Sequence, residues 1–252
     1  MINLVEESRY YSIVKANELI QKSRFELSLM EQKTIAYICS IIKPLEESYQ
    51  LEYVFDIREY AKICGINYDS GKNYTDIKNT LKKLSDRSMW LEIGKEEVLV
   101  RWLAKVRTNK KSGKATIEID KDLAPFLMNL KERFTKYELY NILGMKSAFS
   151  IRIYELLKSY QGIHKKSFTI DELKEKLMVQ DIKSYKDFSL FRKKVIEVAI
   201  KEINELTDIQ VEWEAETKGR KVVAVVFRIK QKNSWDALMC RAKTQKRLDK
   251  IS

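Results

Sequence analysis

The sequence predicts an α+β fold: two tandem winged-helix domains related by internal duplication. Three observations carry that expectation. A basic amphipathic helix runs directly into a basic-tipped hairpin, an internal repeat recurs at near-constant offset, and capped helices follow in the same order in both halves. Each unit would supply a helix that fits a major groove and a hairpin that reaches the phosphates beside it.

In chain order, residues 1–24 read as a leader with a short helix around Asn17 to Gln21. Ser28 and Glu31 then make an S-x-x-E capping box, and Ile35, Ile38 and Ile42 continue a helical apolar face until Lys43 and Pro44 stop it. An extended piece from Tyr53 to Ile57 precedes a helix that Asp56 and Glu59 begin and Gly65 ends. The loop NYDSGKNY leads to a helix from Thr75 to Ser88. Ile77, Leu81 and Leu84 form its apolar side, and Lys78, Asn79, Lys82 and Lys83 its polar one. Strands follow at Met89 to Ile93, Val98 to Thr108 and Ala115 to Ile119, the last two joined by the basic tip NKKSGK. Asp120 to Leu130 reads as a short helix near Pro125.

The order then restarts. Thr135 and Glu138 open a helix reaching Leu143, a second helix begins at Ser147 and is closed by Gly162, and Lys165 to Val179 holds a strand and a helix boxed by Thr169 and Glu172. The next helix sets Phe188, Phe191, Val195, Val198, Ile203 and Leu206 on an apolar stripe, with Lys186, Ser189, Arg192, Lys193 and Lys194 opposite. Beyond it the period becomes two: Ile209, Val211 and Trp213 alternate with polar residues, then come the tip TKGRK and the run VVAVVFRI.

The duplication is visible by offset. Phe55 to Tyr60 lie over Phe168 to Leu173, 113 positions on, and Tyr74, Ile77 and Leu81 lie over Phe188, Phe191 and Val195, 114 positions on. These elements place a first winged-helix domain at 25–132, a second at 133–230 and a basic tail at 231–252, read as a flexible arm or short helix.

Net charge is +12, and the stretch from Arg228 to Ser252, with eight basic and two acidic residues, supplies half of it. Such a chain is drawn to polyanions. Cys39, Cys64 and Cys240 are odd in number and lack CxxC or Cys/His spacing, so no disulfide framework and no metal site is expected, and a reducing cytoplasm fits. No segment has the length of a signal or a membrane span. Enzymatic readings fare poorly. His164 is the only histidine, Tyr154 and Lys158 lie on an apolar helix, and GINYDSGKN departs from a phosphate-binding loop in spacing and in its final residue. No enzyme activity and no cofactor are expected. Trp90, Trp102 and Trp213 read as core residues of strands.

DNA contact is assigned to the two basic helices and their wings. In the second domain Lys186, Ser189, Arg192 and Lys193 lie where side chains reach base edges, and Lys218, Arg220 and Lys221 lie where phosphate contact is expected. In the first domain Lys78, Asn79 and Lys82, with Lys110, Lys111 and Lys114, would serve similarly, Asn79 being able to pair with adenine.

NELIQKSRFELSLMEQKTIAYI, SAFSIRIYELLKSY and FRKKVIEVAIKEINELTDIQVEWEAETKGRKVVAVVFRI together resemble the replication initiators of iteron-containing, theta-replicating plasmids, from about Val14 to Lys230. The resemblance implies monomers that bind directly repeated iterons of duplex DNA at the origin, help melt an adjacent AT-rich region and bring in the host initiator ATPase and helicase. It also implies a monomer–dimer equilibrium, with a dimer that represses its own gene from an inverted repeat and with Trp90 to Ile119 of the first domain as the dimer face. The alternative is a duplicated winged-helix transcription regulator or partition-type DNA-binding protein without a replication role. A third possibility, an interaction module whose charge is incidental, predicts no DNA affinity.

Overall fold

In the computed structural model, which describes residues 4–42, 50–68 and 71–250, the chain opens with α1 (Leu4–Arg9), β1 (Ser12–Ala16), α2 (Asn17–Lys22) and α3 (Leu29–Ile41). The capping box forms as expected: Glu31 N donates to Ser28 Oγ at 3.3 Å and Ser28 N to Glu31 Oε2 at 2.7 Å. Lys43 and Pro44 lie outside the described residues.

β2 (Glu52–Asp56) leads into α4 (Ile57–Cys64). Asp56 Oδ1 accepts from Arg58 N at 2.8 Å and Glu59 N at 2.9 Å, and Gly65, at φ +64°, takes the left-handed turn that ends the helix. α5 (Gly71–Asp86) starts four residues before the expected Thr75, inside the segment read as a loop. Tyr74 extends the apolar stripe of Ile77, Leu81 and Leu84 by a turn, and packs on the core.

β3 (Ser88–Ile93) and β4 (Glu96–Arg101) form a separate hairpin, followed by β5 (Leu103–Asn109) and β6 (Lys114–Ile119). The strand read from Val98 to Thr108 is therefore two. It breaks at Trp102, which turns inward and meets Phe25 edge-on at 5.0 Å, so that β4 pairs with β3 while β5 pairs with β6. Only the 3₁₀ turn Ala124–Phe126 forms where a short helix was expected, with Pro125 in its first turn.

The expected helix at Thr135 is instead β7 (Phe134–Glu138), antiparallel to β1, with Ile13 opposite Tyr137. Thr135 and Tyr137 point inward and Lys136 outward, a period of two that local helix propensity cannot override once β1 supplies the ladder. α6 (Tyr140–Leu143) and α7 (Ala148–Ser159) follow; Ser147 Oγ caps α7, and Glu202 accepts from Lys146 N at 2.8 Å and Ser147 N at 3.2 Å.

The second copy comprises β8 (Lys165–Thr169), α8 (Ile170–Lys176), α9 (Phe188–Phe191), α10 (Glu197–Leu206), β9 (Ile209–Lys218) and β10 (Lys221–Gln231). Its sheet has the order β8–β10–β9, which repeats β2–β6–β5 of the first copy strand for strand. The fold is thus two winged-helix units. α3 and α7, the equivalent helices that precede the sheets, pack on each other, and Lys33 Nζ donates to Leu143 O at 2.6 Å and Gln32 Nε2 to Ala148 O at 3.1 Å across the junction. One apolar core runs through both units, from Ile13 and Leu19 to Val225 and Phe227.

The tail forms α11 (Ser234–Leu248), capped by Asn233. It packs on α6 and α10 and crosses to the first unit: Arg9 donates to Gln245 Oε1 at 2.8 Å, and Leu248 is buried against Gly65. Its basic residues are partly used in this packing. Arg247 pairs with Glu205 at 2.8 Å and Arg241 with Glu138 at 2.6 Å.

Candidate nucleic-acid interface

The second-unit helix is assembled from α9, a π turn at Arg192–Ile196, and α10. Asp187 caps its start, accepting from Ser189 N at 2.7 Å. The π turn inserts one residue into the helical register, so the apolar stripe shifts after Val195. Ile196, Ala199, Ile200 and Ile203 are buried, while Val198, expected inside, is 37% exposed. The spacing of Ile196, Ala199, Ile200 and Ile203, a stripe offset by one from Phe188, Phe191 and Val195, is the sequence signal of that slip.

On the outer side Lys186, Ser189 and Lys193 are exposed, and Arg192 is half-buried against Glu197, Nε to Oε1 at 3.3 Å. In the first unit Lys78, Asn79 and Lys82 are exposed on α5, opposite Ile77, Leu81 and Leu84. Lys82 lies 2.5 Å from Asp86, an exposed pair on one helix face that contributes little to stability and leaves the ammonium accessible.

The two wings differ in reach. β8 pairs with β10 only from Ala224 to Arg228, whereas β9 and β10 stay paired to Lys218 and Lys221. The second hairpin therefore projects past its sheet. It turns through Gly219 and Arg220, with φ +64° at Gly219 alone, the requirement of a type II′ turn. Lys218, Arg220 and Lys221 are exposed at that tip, and nothing lies within 4 Å of a Cβ built on Gly219.

The first hairpin ends level with its sheet, since Lys114 is opposite both Asp56 and Asn109. Its tip is folded back: Asn109 Oδ1 accepts from Lys111 N at 3.0 Å and Ser112 N at 3.2 Å, and Ile57 N donates to Gly113 O at 2.9 Å. Lys110, Lys111 and Lys114 are exposed but held at the start of α4.

Charge is segregated along the second wing. Glu212, Glu214 and Glu216 are exposed on one face of β9, where Arg228 neutralises Glu214 at 2.7 Å. A polyanion is repelled from that face and attracted at the tip. The one carboxylate of α7, Glu155, is buried and paired with Lys15. Tyr154 is buried too, its OH donating to Asp208 at 2.8 Å, and Lys158 pairs with Asp208 at 2.6 Å. These groups are structural ties.

Trp102 is buried and Trp213 half-buried, but Trp90 is 60% exposed. β3 and β4 form a two-stranded sheet, and Trp90 lies on its outer face opposite Leu99, itself 52% exposed. Among the described residues no group of three or more His, Cys, Asp or Glu is placed to hold a metal ion, and no helix is long and apolar enough to cross a membrane.

Residues 12–158 match the family described as "Initiator Replication protein, WH1", and residues 169–229 match "Initiator Rep protein, WH2". The chain is 24% identical over 234 residues to a replication initiation protein of Escherichia coli, covering 89% of this chain and 71% of that protein. It is 28% identical over 145 residues to the PI protein of Escherichia coli, covering 51% of this chain and 47% of that one. A solved structure of the Pi initiator protein in complex with iteron DNA superposes with a TM-score of 0.72 at 21% identity, covering 90% of this chain and 99% of the other, and so shares the fold.

Proposed function

The chain belongs to the initiator replication protein family, and from that membership we propose that it starts plasmid replication by binding directly repeated duplex sequences, iterons, with both winged-helix units. The carrying observation is the twofold use of one frame. Each copy presents an exposed basic helix followed by a hairpin with a basic tip, and the acids of the second wing stop at Glu216, two residues short of that tip. The second unit is the main reader. Its helix, through Lys186, Ser189, Arg192 and Lys193, enters the major groove, while Lys218, Arg220 and Lys221 hold phosphates. The first unit adds contacts through Lys78, Asn79, Lys82, Lys110, Lys111 and Lys114 in an adjoining groove.

The protein acts by binding alone. Bound at successive repeats, it destabilises a neighbouring AT-rich tract and presents a surface to the host initiator ATPase and helicase in the bacterial cytoplasm. A second copy pairs through the first unit, and the exposed Trp90–Leu99 pair on the β3–β4 sheet supports that face, because large apolar side chains on an uncovered sheet favour association. Such a dimer binds an inverted repeat at its own promoter.

Footprinting of the purified protein on the DNA flanking its gene, across a salt series, tests this. Regularly spaced protection over direct repeats is the expected result. Protection of one palindrome alone would make the protein a repressor, and no protection at low salt would return its basic helices to solvated surface.

A further inference from the structure

The helix assigned to base reading is irregular at one place. Between α9 and α10 the π turn at Arg192–Ile196 closes with Glu197 N donating to Arg192 O. On a regular α-helix, side chains three and four apart are neighbours, and those five apart face different directions. The wider turn brings Arg192 and Glu197, five apart, to 3.3 Å between Nε and Oε1. Their side chains are 39% and 44% exposed, so the pair lies on the surface that carries Lys193. Nε is closed off from solvent and makes no hydrogen bond, so Glu197 meets it as a charge at ion-pair distance, and among the described residues neither terminal guanidinium nitrogen makes a hydrogen bond. π turns interrupt the regular hydrogen-bond ladder and occur frequently at functional sites.

We infer that Glu197 is a specificity-determining residue: it positions Arg192 so that the Nη1 and Nη2 fork meets N7 and O6 of a guanine. The inference rests on the reading that this helix enters the major groove. An arginine on a flexible stem serves a phosphate as well as a base. With the Glu197 charge beside its Nε edge, the guanidinium is drawn to turn its two terminal donors outward, as the parallel pair that a guanine edge accepts. The carboxylate also repels a phosphate approaching the same guanidinium, which disfavours non-specific contact. Glu197 therefore touches Arg192 and not the DNA, and its role is positioning.

The test is base preference. Wild type, E197A, R192A and the double variant each enrich a random-sequence duplex library, and affinities are then measured for the enriched duplex and for its single base-pair replacements. Wild type is expected to require a guanine at one position, its replacement weakening binding by about tenfold. E197A and R192A are expected to lose that preference and keep the others, and the double variant to lose nothing more. E197Q, which keeps the volume without the charge, replaces E197A if circular dichroism shows that E197A unfolds, and the same loss is expected of it. If E197A tightens binding to all duplexes while the guanine preference survives, Glu197 acts by charge alone and the inference is overturned. If R192A retains the guanine, the inference also falls, although the other residues of the helix can still read DNA. Failure of wild type to enrich any motif would instead overturn the proposed function itself.

Discussion

Lys15 Nζ donates to Glu155 Oε1 at 2.6 Å, joining β1 to α7 across 140 residues of sequence, and each side chain is at most 6% exposed. Tyr137 OH donates to the same oxygen from β7, and the Arg152 guanidinium, one turn before Glu155, lies 4.5 Å from the Phe25 ring and donates to Ser23 O at 2.8 Å. The N-terminal strand is thus bound into the junction between the two units by a desolvated ionic pair.

Removing one partner of such a pair strands a buried charge. K15M or E155L alone is expected to cost about 3–5 kcal/mol, and K15M/E155L much less than the sum, because two apolar side chains fill the site without an unpaired charge. Urea unfolding of the three variants at neutral pH measures this. Additive losses would mean zero coupling, with Lys15 and Glu155 contributing independently of the ion pair.

The same pair sets an acid limit. Burial pushes the Glu155 carboxyl up, but Lys15, the hydrogen bonds from Lys15 and Tyr137, and the Arg152 charge outweigh it, so the group titrates below its ordinary value of 4.5. A carboxyl depressed on folding contributes stability that is present above its ordinary value and lost as pH falls through the folded one. The stability difference between wild type and E155Q is therefore expected to be constant from pH 7 down to about 4.5 and to shrink below it. A difference that instead shrinks between pH 7 and 5 would place the depression elsewhere.

The parts of this fold legible in the sequence are those whose cause is local. Ser28 with Glu31, Asp56 before α4 and Thr169 before α8 are caps formed within three residues; the first is a full reciprocal box, whereas Asp56 and Thr169 accept from the backbone and the box expected of Thr169 and Glu172 is only half made. β7 has no local signal, because its ladder partner, β1, is more than a hundred residues away. A constant helical period puts Val198 inside, and the π turn that displaces it leaves only a one-residue slip in the pattern. Alternation identifies two faces of a strand without saying that both are covered, which is why the pattern around Trp90 does not reveal its exposure. Of the candidate DNA residues, exposure followed from their opposition to the apolar stripes. The ion pair that half-buries Arg192 did not, since it depends on that same turn.

Gly65 is where α11 meets the first unit. A Cβ there would overlap Leu248 Cδ2, and φ is +64°. G65A is expected to cost about 1–2 kcal/mol from the left-handed backbone alone, and more from displacing Leu248. L248A leaves a cavity costing about 2–5 kcal/mol but removes the clash, so G65A should cost less in the L248A background. Thermal or urea unfolding of the four proteins measures the coupling. Zero coupling would mean that Leu248 does not seat against Gly65 in solution.

The unequal wings make a prediction for salt dependence. Each phosphate contact contributes about 0.9 to the slope of log K against log salt. Lys218, Arg220 and Lys221 sit on a tip that projects past β8, so K218Q/R220Q/K221Q is expected to reduce the slope by about 2–3. Lys110, Lys111 and Lys114 sit on a tip level with β2, folded onto Asn109 and tied to Ile57, so K110Q/K111Q/K114Q is expected to reduce it by about 1 or less. The net charge removed is the same in both variants, which separates local contact from the general field of a basic protein. Titrations between about 50 and 200 mM salt on one duplex, with circular dichroism to verify folding, give both slopes. Equal reductions would mean that binding follows overall charge, and a larger effect of the first wing would make the first unit the principal phosphate anchor.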